Sequence, residues 1–255
     1  MKILAVGDVV GRPGRHVLRD RLQGIVDTRR VDFVIVNGEN AAAGKSITPD
    51  IVKEFKSMGV DQITTGNHVW DNREIVKYLD EDPTIIRPAN YPPGAPGRGW
   101  NVVDRKGVAV CVINLQGRLF MDPIDCPFRK FDEIYAEVKD RADMIIVDFH
   151  AEATSEKRAM GWHLDGRASA LFGTHTHVMT ADEEILPGGT GYLTDVGMTG
   201  SFDSVIGVNR ENAVRRFLSF TRVKFEVADK NCKVNAVLFD INGEGKTDRV
   251  ERIIA

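Results

Sequence analysis

The stretch Gly173-Thr174-His175-Thr176-His177 ends a short apolar run and places two imidazoles two residues apart. Imidazole is a leading ligand for transition metals. In an extended segment, residues i and i+2 point to the same side, so a strand end or the turn beyond it can present both rings to a metal centre. A lone His-x-His also arises as an ordinary pair of surface histidines, so the rest of the chain has to decide. Three other apolar runs end in oxygen or nitrogen donors: Ile3 to Val6 runs into Gly7-Asp8, Phe33 to Val36 into Asn37-Gly38-Glu39-Asn40, and Ile145 to Val147 into Asp148-Phe149-His150. The segment Gln62 to Thr65 leads likewise into Gly66-Asn67-His68.

In an open α/β sheet, functional groups gather at the carboxyl ends of the strands. Asp8, Glu39, Asn40, Asn67, His68, His150, His175 and His177 all fall at such ends. Taken singly, each has an ordinary explanation as a turn former, a cap, a solvated charge or a half-buried histidine. Agreement across five segments is much harder to produce by chance. Mixed carboxylate, amide and imidazole donors suit iron, manganese or zinc, and Cys111, Cys126 and Cys232 are not placed to compete. Two divalent ions held about 3.5 to 4 Å apart can polarise a phosphoryl group and activate a water between them. A carboxylate such as Glu39 is the natural bridge.

The elements that must position these groups follow from hydrophobic period. Ile3 to Val6 and Phe33 to Val36 read as buried strands, and Val17, Leu18, Leu22, Ile25 and Val26 repeat at helical spacing between them. Thr48 as N-cap and Pro49 open a helix over Asp50 to Met58, which Gly59 stops. A strand near Gln62 to Thr65 and a helix near Asn72 to Leu79 complete a βαβαβα order, which favours parallel strands with helices packed on them. The proline- and glycine-rich run Asn90 to Gly99 is a loop. Val108 to Asn114 and Met144 to Phe149 read as strands and Phe131 to Val138 as a helix. Arg222 to Val227 alternates charged and apolar residues as a half-exposed strand does, and Lys233 to Ile241 and Arg249 to Ile254 are expected to add strands of a second sheet.

At 255 residues, 42% hydrophobic and 28% charged, the chain can bury a substantial core, as one large domain or two small ones. A formal charge of -3 gives no general basic field, which argues against sequence-independent binding of duplex nucleic acid. Three widely spaced cysteines fit a reducing cytosol rather than a disulfide framework. No signal peptide or membrane anchor is read, and a cytoplasmic protein is expected.

Two nucleotide-binding signals fail. Gly44-Lys45-Ser46 imitates the end of a P-loop, but Glu39 stands where the first glycine belongs, and Gly7, Gly11 and Gly14 do not fit G-x-G-x-x-G. The first loop reads as a tight strand-to-helix turn, with a phosphate contact aided by Arg12 or Arg15 as the alternative. His16 reads as a helix-surface or packing residue. His163, beside Trp162, reads as structural with a cleft role as the alternative, and Asp195 to Gly200 could shape a pocket or a subunit contact.

Gly7-Asp8, Gly38-Glu39-Asn40, Gly66-Asn67-His68, His150 and Gly173-Thr174-His175-Thr176-His177 resemble the ordered blocks of calcineurin-like metallophosphoesterases, and in detail their bacterial YmdB-like branch, over essentially the full length. The resemblance implies a single domain over residues 1–255, an α/β/β/α sandwich of two mixed sheets flanked by helices. It implies two divalent or mixed-valence ions, iron or manganese first and zinc as a further fit. Asp8, Glu39, Asn40 and His177 would surround one, and Glu39, Asn67, His150 and His175 the other. His68 would contact the phosphate and protonate the leaving oxygen after attack by a metal-bridging hydroxide. The branch implies a small cyclic-nucleotide substrate, 2′,3′-cyclic nucleotides first, and a homo-oligomer is expected. A phosphomonoesterase or other metal-dependent hydrolase, and a regulatory metal- or nucleotide-binding protein, remain alternatives. Two departures stand out. The family's Asp-x-His is Asp8-Val9-Val10 here, a vacancy that Asn40 would fill. Val69 follows His68 where the general pattern has an acid, so Asp71 is the nearest carboxylate to orient the ring, unless it is a helix N-cap.

Overall fold

The β-branched runs form the strands they predict, in a computed structural model that describes residues 1–255. Lys2–Val6, Phe33–Asn37 and Gln62–Thr64 pair in parallel, with Leu4 opposite Val34 and Val36 opposite Ile63. Asn235–Ile241 joins the free edge of Lys2–Val6 antiparallel, and Thr247–Ile254 pairs outside it. The second sheet runs in the order Trp100–Arg105, Val108–Gln116, Met144–His150, Ala170–Thr174, Gly191–Leu193, Glu184–Ile185. Its four central strands are parallel and its two edges antiparallel.

The strands carry apolar residues on both faces because both faces are covered. Ile3, Ala5, Phe33 and Ile35 meet Val110, Val112, Ile146 and Phe172 of the other sheet, which makes the inner layer. The alternate residues Leu4, Val6, Val34 and Val36 face Leu18 and Leu22 of the helix Gly11–Arg29 and Phe55 of the helix Pro49–Ser57. On the far side, Ile113 and Val147 pack on Phe131 of Pro127–Val138 and Met160 of Thr154–Leu164. The order is therefore helices, sheet, sheet, helices, which is the α/β/β/α sandwich expected. No helix is long and apolar enough to cross a membrane.

Local signals account for the element ends. The Thr48 hydroxyl accepts the Ile51 amide at 3.3 Å, with Pro49 at the first helical position. Asn72, not Asp71, caps the helix Arg73–Glu81, its side chain accepting the Glu74 amide at 2.8 Å. The helix Gly11–Arg29 begins within the glycine-rich turn, where the Gly11 amide donates to the Asn40 carbonyl at 2.8 Å. Arg15 bonds Glu54 of the helix Pro49–Ser57 and the Ala41 carbonyl, so its guanidinium ties the first helix to the second and to the loop before it.

Three expectations for the C-terminal third need correction. The segment expected over Lys233 to Ile241 and Arg249 to Ile254 extends the first sheet, not a second one, because alternation reports half-burial and not the pairing partner. Arg222 to Val227 makes one isolated bridge, Val208 to Val227, instead of a strand. The loop Asp195 to Gly200 becomes in part the strand Met198–Ser201, which pairs in parallel with Asp8–Val9 and stitches the first sheet's key turn to the second.

Candidate metal centre

The parallel strands of both sheets finish at one end of the sandwich, and their extensions meet there. His150 is the last residue of its strand and wholly buried. His175 and His177 lie just past Ala170–Thr174 in left-handed backbone, at φ 97° and 66°. Non-glycine residues rarely adopt that region. The loop therefore does not present the two rings on one side of an extended segment, and it turns them to different neighbours. His175 Nδ1 lies 3.0 Å from His150 Nε2, whereas His177 Nε2 lies 3.1 Å from Asn40 Nδ2 and 3.8 Å from Asp8 Oδ1.

Each imidazole is held through its far nitrogen. His150 Nδ1 is 2.8 Å from the Thr174 hydroxyl oxygen, whose own proton goes to Asp148 Oδ1 at 2.7 Å. His175 Nε2 faces Glu152 Oε2 at 3.1 Å, and His177 Nδ1 donates to the Ile206 carbonyl at 2.9 Å. Outer partners of this kind fix the tautomer, so His150 Nε2, His175 Nδ1 and His177 Nε2 are left to face the centre.

What those nitrogens face is mostly acceptors. Around His150 Nε2 stand Glu39 Oε1 at 3.0 Å, Asn67 Oδ1 at 3.1 Å and His175 Nδ1 at 3.0 Å. One N–H can serve only one of the three. Asp8 Oδ1 is buried with no hydrogen-bond partner, while Asp8 Oδ2 accepts the His175 amide at 3.2 Å. A buried, unpaired carboxylate oxygen is costly. A cation would relieve both conflicts, and the ligand atoms of Glu39, His150 and His175 all lie within 4.8 Å of one another. The donor set fits a divalent transition metal.

The electrostatics agree. Burial opposes a charge on His150, yet the adjoining Glu39 carboxylate pushes its pKa up to about 9. Glu39 is itself buried, but His150 brings its carboxyl down to about 2. His175, desolvated by burial and repelled by His150, falls to about 3. Burial raises Asp8. The same pull that holds an extra proton on His150 would hold a divalent cation in competition with it.

Beneath the centre lies a second set of buried polar groups. Asp148, its pKa pushed up to about 6 by burial, accepts from Thr64, Thr174 and Asn37 at 2.5, 2.7 and 3.0 Å. Asn37 Oδ1 accepts the Glu39 amide at 3.2 Å, and its Nδ2, donating to Asp148 of the other sheet, links the two sheets. The wholly buried Lys157 donates to Asp195 Oδ2 at 2.5 Å and to the Thr174 carbonyl at 2.8 Å. Asp195 also accepts the Thr176 hydroxyl at 2.8 Å, so this ion pair anchors the histidine loop. The absence of a side chain at Gly66 matters here, since a Cβ would lie 2.2 Å from Glu39 Oε2 and 2.3 Å from the His150 ring.

All eight site residues expected from the sequence are brought together. His68 stands at the rim, its amide donating to Glu39 Oε2 at 3.2 Å and its Nδ1 lying 3.0 Å from Asp71 Oδ2. A cavity of about 290 Å³ opens beside it, bordered also by Lys45 and Glu152. His163 lies elsewhere, bonded to Asp132 at 3.0 Å and edge-on to Phe128, and His16 pairs with Arg12 on the helix surface. Sequence reasoning missed Glu152 and Lys157, and named Asp195 only as the start of a loop that could shape a pocket or a subunit contact. Lys45 was visible only as part of a failed P-loop.

The sandwich and the histidine, carboxylate and amide cluster at its strand ends define a metallophosphoesterase, a class of hydrolase. The fold is shared with a 5′-nucleotidase precursor from Thermus thermophilus at TM-score 0.60 and 13% identity, covering 100% of this chain and 54% of that one. A second Thermus thermophilus protein of known crystal structure matches at TM-score 0.95 and 42% identity, over 100% of this chain and 99% of that one. The 2′,3′-cyclic-nucleotide 2′-phosphodiesterase of Bacillus subtilis (strain 168) is 49% identical over 255 residues, 100% of this chain and 97% of the relative. The model of the YmdB-like protein family matches residues 4–253, and the chain belongs to that family.

Proposed function

We propose that the protein is a dinuclear metal-dependent phosphodiesterase that opens 2′,3′-cyclic nucleotides. The observation that carries the metal reading is the convergence of Glu39 Oε1, Asn67 Oδ1 and His175 Nδ1 on His150 Nε2, more acceptors than one proton can satisfy. The substrate class is supported by the 49% identity, over the whole chain, to a protein described as a 2′,3′-cyclic-nucleotide 2′-phosphodiesterase.

Asp8, Glu39, Asn40 and His177 would hold one ion and Glu39, Asn67, His150 and His175 the other, with Glu39 shared. The opposite headings of His175 and His177 support this division. Asn40 would offer its oxygen after a half-turn of the amide, since Nδ2 now donates to Glu39 Oε1 at 3.2 Å. Two divalent cations here would neutralise phosphoryl charge and lower the pKa of water. The chain's own residues do the rest. His68 hands a proton to the leaving ribose oxygen from the nitrogen left free by Asp71. Glu152, Thr174 and the Ile206 carbonyl keep the three ligand imidazoles in the tautomers the ions need. Because positive charge enters with the metals, the formal charge of -3 is no obstacle to an anionic substrate.

The test is His68→Ala in metal-replete protein, assayed on 2′,3′-cyclic, 3′,5′-cyclic, dinucleotide and monoester phosphates. Metal content should stay at the wild-type level while kcat on the preferred diester falls about 10²- to 10⁴-fold. Equal, feeble wild-type rates on every phosphate would overturn the substrate reading, and a protein that takes up no transition metal would overturn the mechanism.

A further inference from the structure

The cavity at the metal centre has one wall of a different character. Glu39, His68, His175 and His177 border it on the polar side, whereas Ile206, Val208 and Phe225 border it from a single segment inserted after Met198–Ser201. That segment opens with a hairpin, Ser204–Val205 against Val208–Asn209, whose two turn residues are Ile206 and Gly207 at φ 48° and 94°. A two-residue turn of this hand favours Asn-Gly. A β-branched residue at positive φ is strained, at a cost of about 1 to 2 kcal/mol. The turn's backbone contact with His177, made by a carbonyl at 2.9 Å, does not call for isoleucine. What isoleucine adds is an apolar side chain, 49% exposed, at the edge of a polar site.

Phe225 adds to that wall. Its ring rests on Gly44, where a Cβ would lie 2.7 Å from Cε1, and it remains 44% exposed. The segment is pinned to the hairpin through the Asn209 amide on the Glu226 carbonyl at 2.8 Å and the Ala228 amide on the Gly207 carbonyl at 2.9 Å. Ile206, Val208 and Phe225 offer no side-chain donor or acceptor. Phosphate and ribose are polar and find partners at the metal ligands and His68. The base is the flat, largely apolar part of a nucleotide.

We infer that Ile206 and Phe225 form the nucleobase subsite, with Phe225 as the stacking platform; the inference rests on the cyclic-nucleotide reading above. Stacking reads a π-face and not an edge, so bases of different sequence identity are accepted, purines ahead of pyrimidines for their larger area.

The test compares adenosine 2′,3′-cyclic phosphate with methyl β-D-ribofuranoside 2,3-cyclic phosphate, the same cyclic diester without a base, on metal-replete enzyme. The ratio of kcat/KM for the first over the second should fall about tenfold in Phe225→Ala, the size of one base–aromatic stack, and recover in Phe225→Trp. Ile206→Gly, which removes the apolar side chain and relieves the turn, should lower the same ratio. Calorimetry should show adenosine 3′-monophosphate binding weakened about tenfold by Phe225→Ala, through the same stack. An unchanged ratio in Phe225→Ala, including an equal loss on both diesters, overturns the subsite. A wild-type enzyme that opens both diesters with equal efficiency overturns the subsite alone, whereas one that opens neither overturns the cyclic-nucleotide reading and the subsite with it.

Discussion

The two sheets equip the centre by different means. The first delivers Asp8, Glu39, Asn40, Asn67 and His68 directly after three parallel strands, each within a few residues of a strand end. Its groups are fixed locally, as when Asn37 Oδ1 takes the Glu39 amide two residues on. The second delivers three imidazoles, one from a strand end and two from a loop in left-handed backbone. Those rings are oriented by Thr174, Glu152, Ile206, Lys157 and Asp195, most of them distant in sequence. The carboxylate and amide groups thus come with the strand-to-helix topology, whereas the second sheet's imidazoles have to be held in place from behind.

The sharpest break of that comparison is Lys157→Met. It leaves the buried Asp195 without its cation, and loss of one partner of a buried pair costs about 3 to 5 kcal/mol. Urea denaturation should show a loss of that size. Adding Asp195→Leu removes the uncompensated charge and should recover part of the stability, the Gly197 amide at 2.7 Å from Asp195 Oδ1 losing its acceptor. It also leaves the Thr176 hydroxyl and amide, now 2.8 and 3.3 Å from Asp195 Oδ2, without an anchor. Metal affinity should therefore stay low in the double variant. Recovery of metal binding along with stability would mean that the ion pair only fills the core and does not hold the histidine loop.

The same asymmetry explains what could be read from sequence. The parallel strands announce themselves as apolar runs, and the donors that follow them sit where strand ends must be, so the eight residues that converge there were legible. Lys157 was not, because a lone lysine reads as a solvated charge; its burial depends on Asp195, 38 residues away. Glu152 and Ile206 act on His175 and His177 through folding alone, with no spacing that links them. The pairing of Asn235–Ile241 with Lys2–Val6 was equally hidden, since a period of two tells which face is covered and not which strand lies alongside. Asp71 was ambiguous between cap and orienter, and the neighbouring Asn72, which takes the cap, frees it.

A milder test of the held imidazoles is Thr174→Val. The change keeps the branched shape and removes the hydroxyl between His150 Nδ1 and Asp148 Oδ1, at 2.8 and 2.7 Å. With no acceptor at Nδ1, the ring loses its tautomer bias, and metal affinity should fall about 10- to 100-fold, measured by competition with a chelator. Stability should fall by about 1 to 3 kcal/mol for the polar groups left unpaired. An unchanged metal affinity with the stability loss intact would show that Nε2 is presented without help from Thr174.

The smallest effect is expected on the locally fixed side. Asp71 and His68 are 44% and 29% exposed, so their contact is screened by water. Such a pair is worth about 0 to 1 kcal/mol, and Asp71→Asn, which keeps an acceptor for the ring, should lower kcat no more than about fivefold and leave metal content alone. Its meaning comes from a double-mutant cycle. If Asp71 acts by orienting His68, the substitution should do nothing further in a His68→Ala background. A loss of the same size in both backgrounds would point instead to Lys45, whose ammonium lies 4.0 Å from the same carboxylate at the cavity rim. Asp71 would then serve to place a positive charge near the phosphate, and the first sheet's side of the site would also have a residue held from outside its own strand.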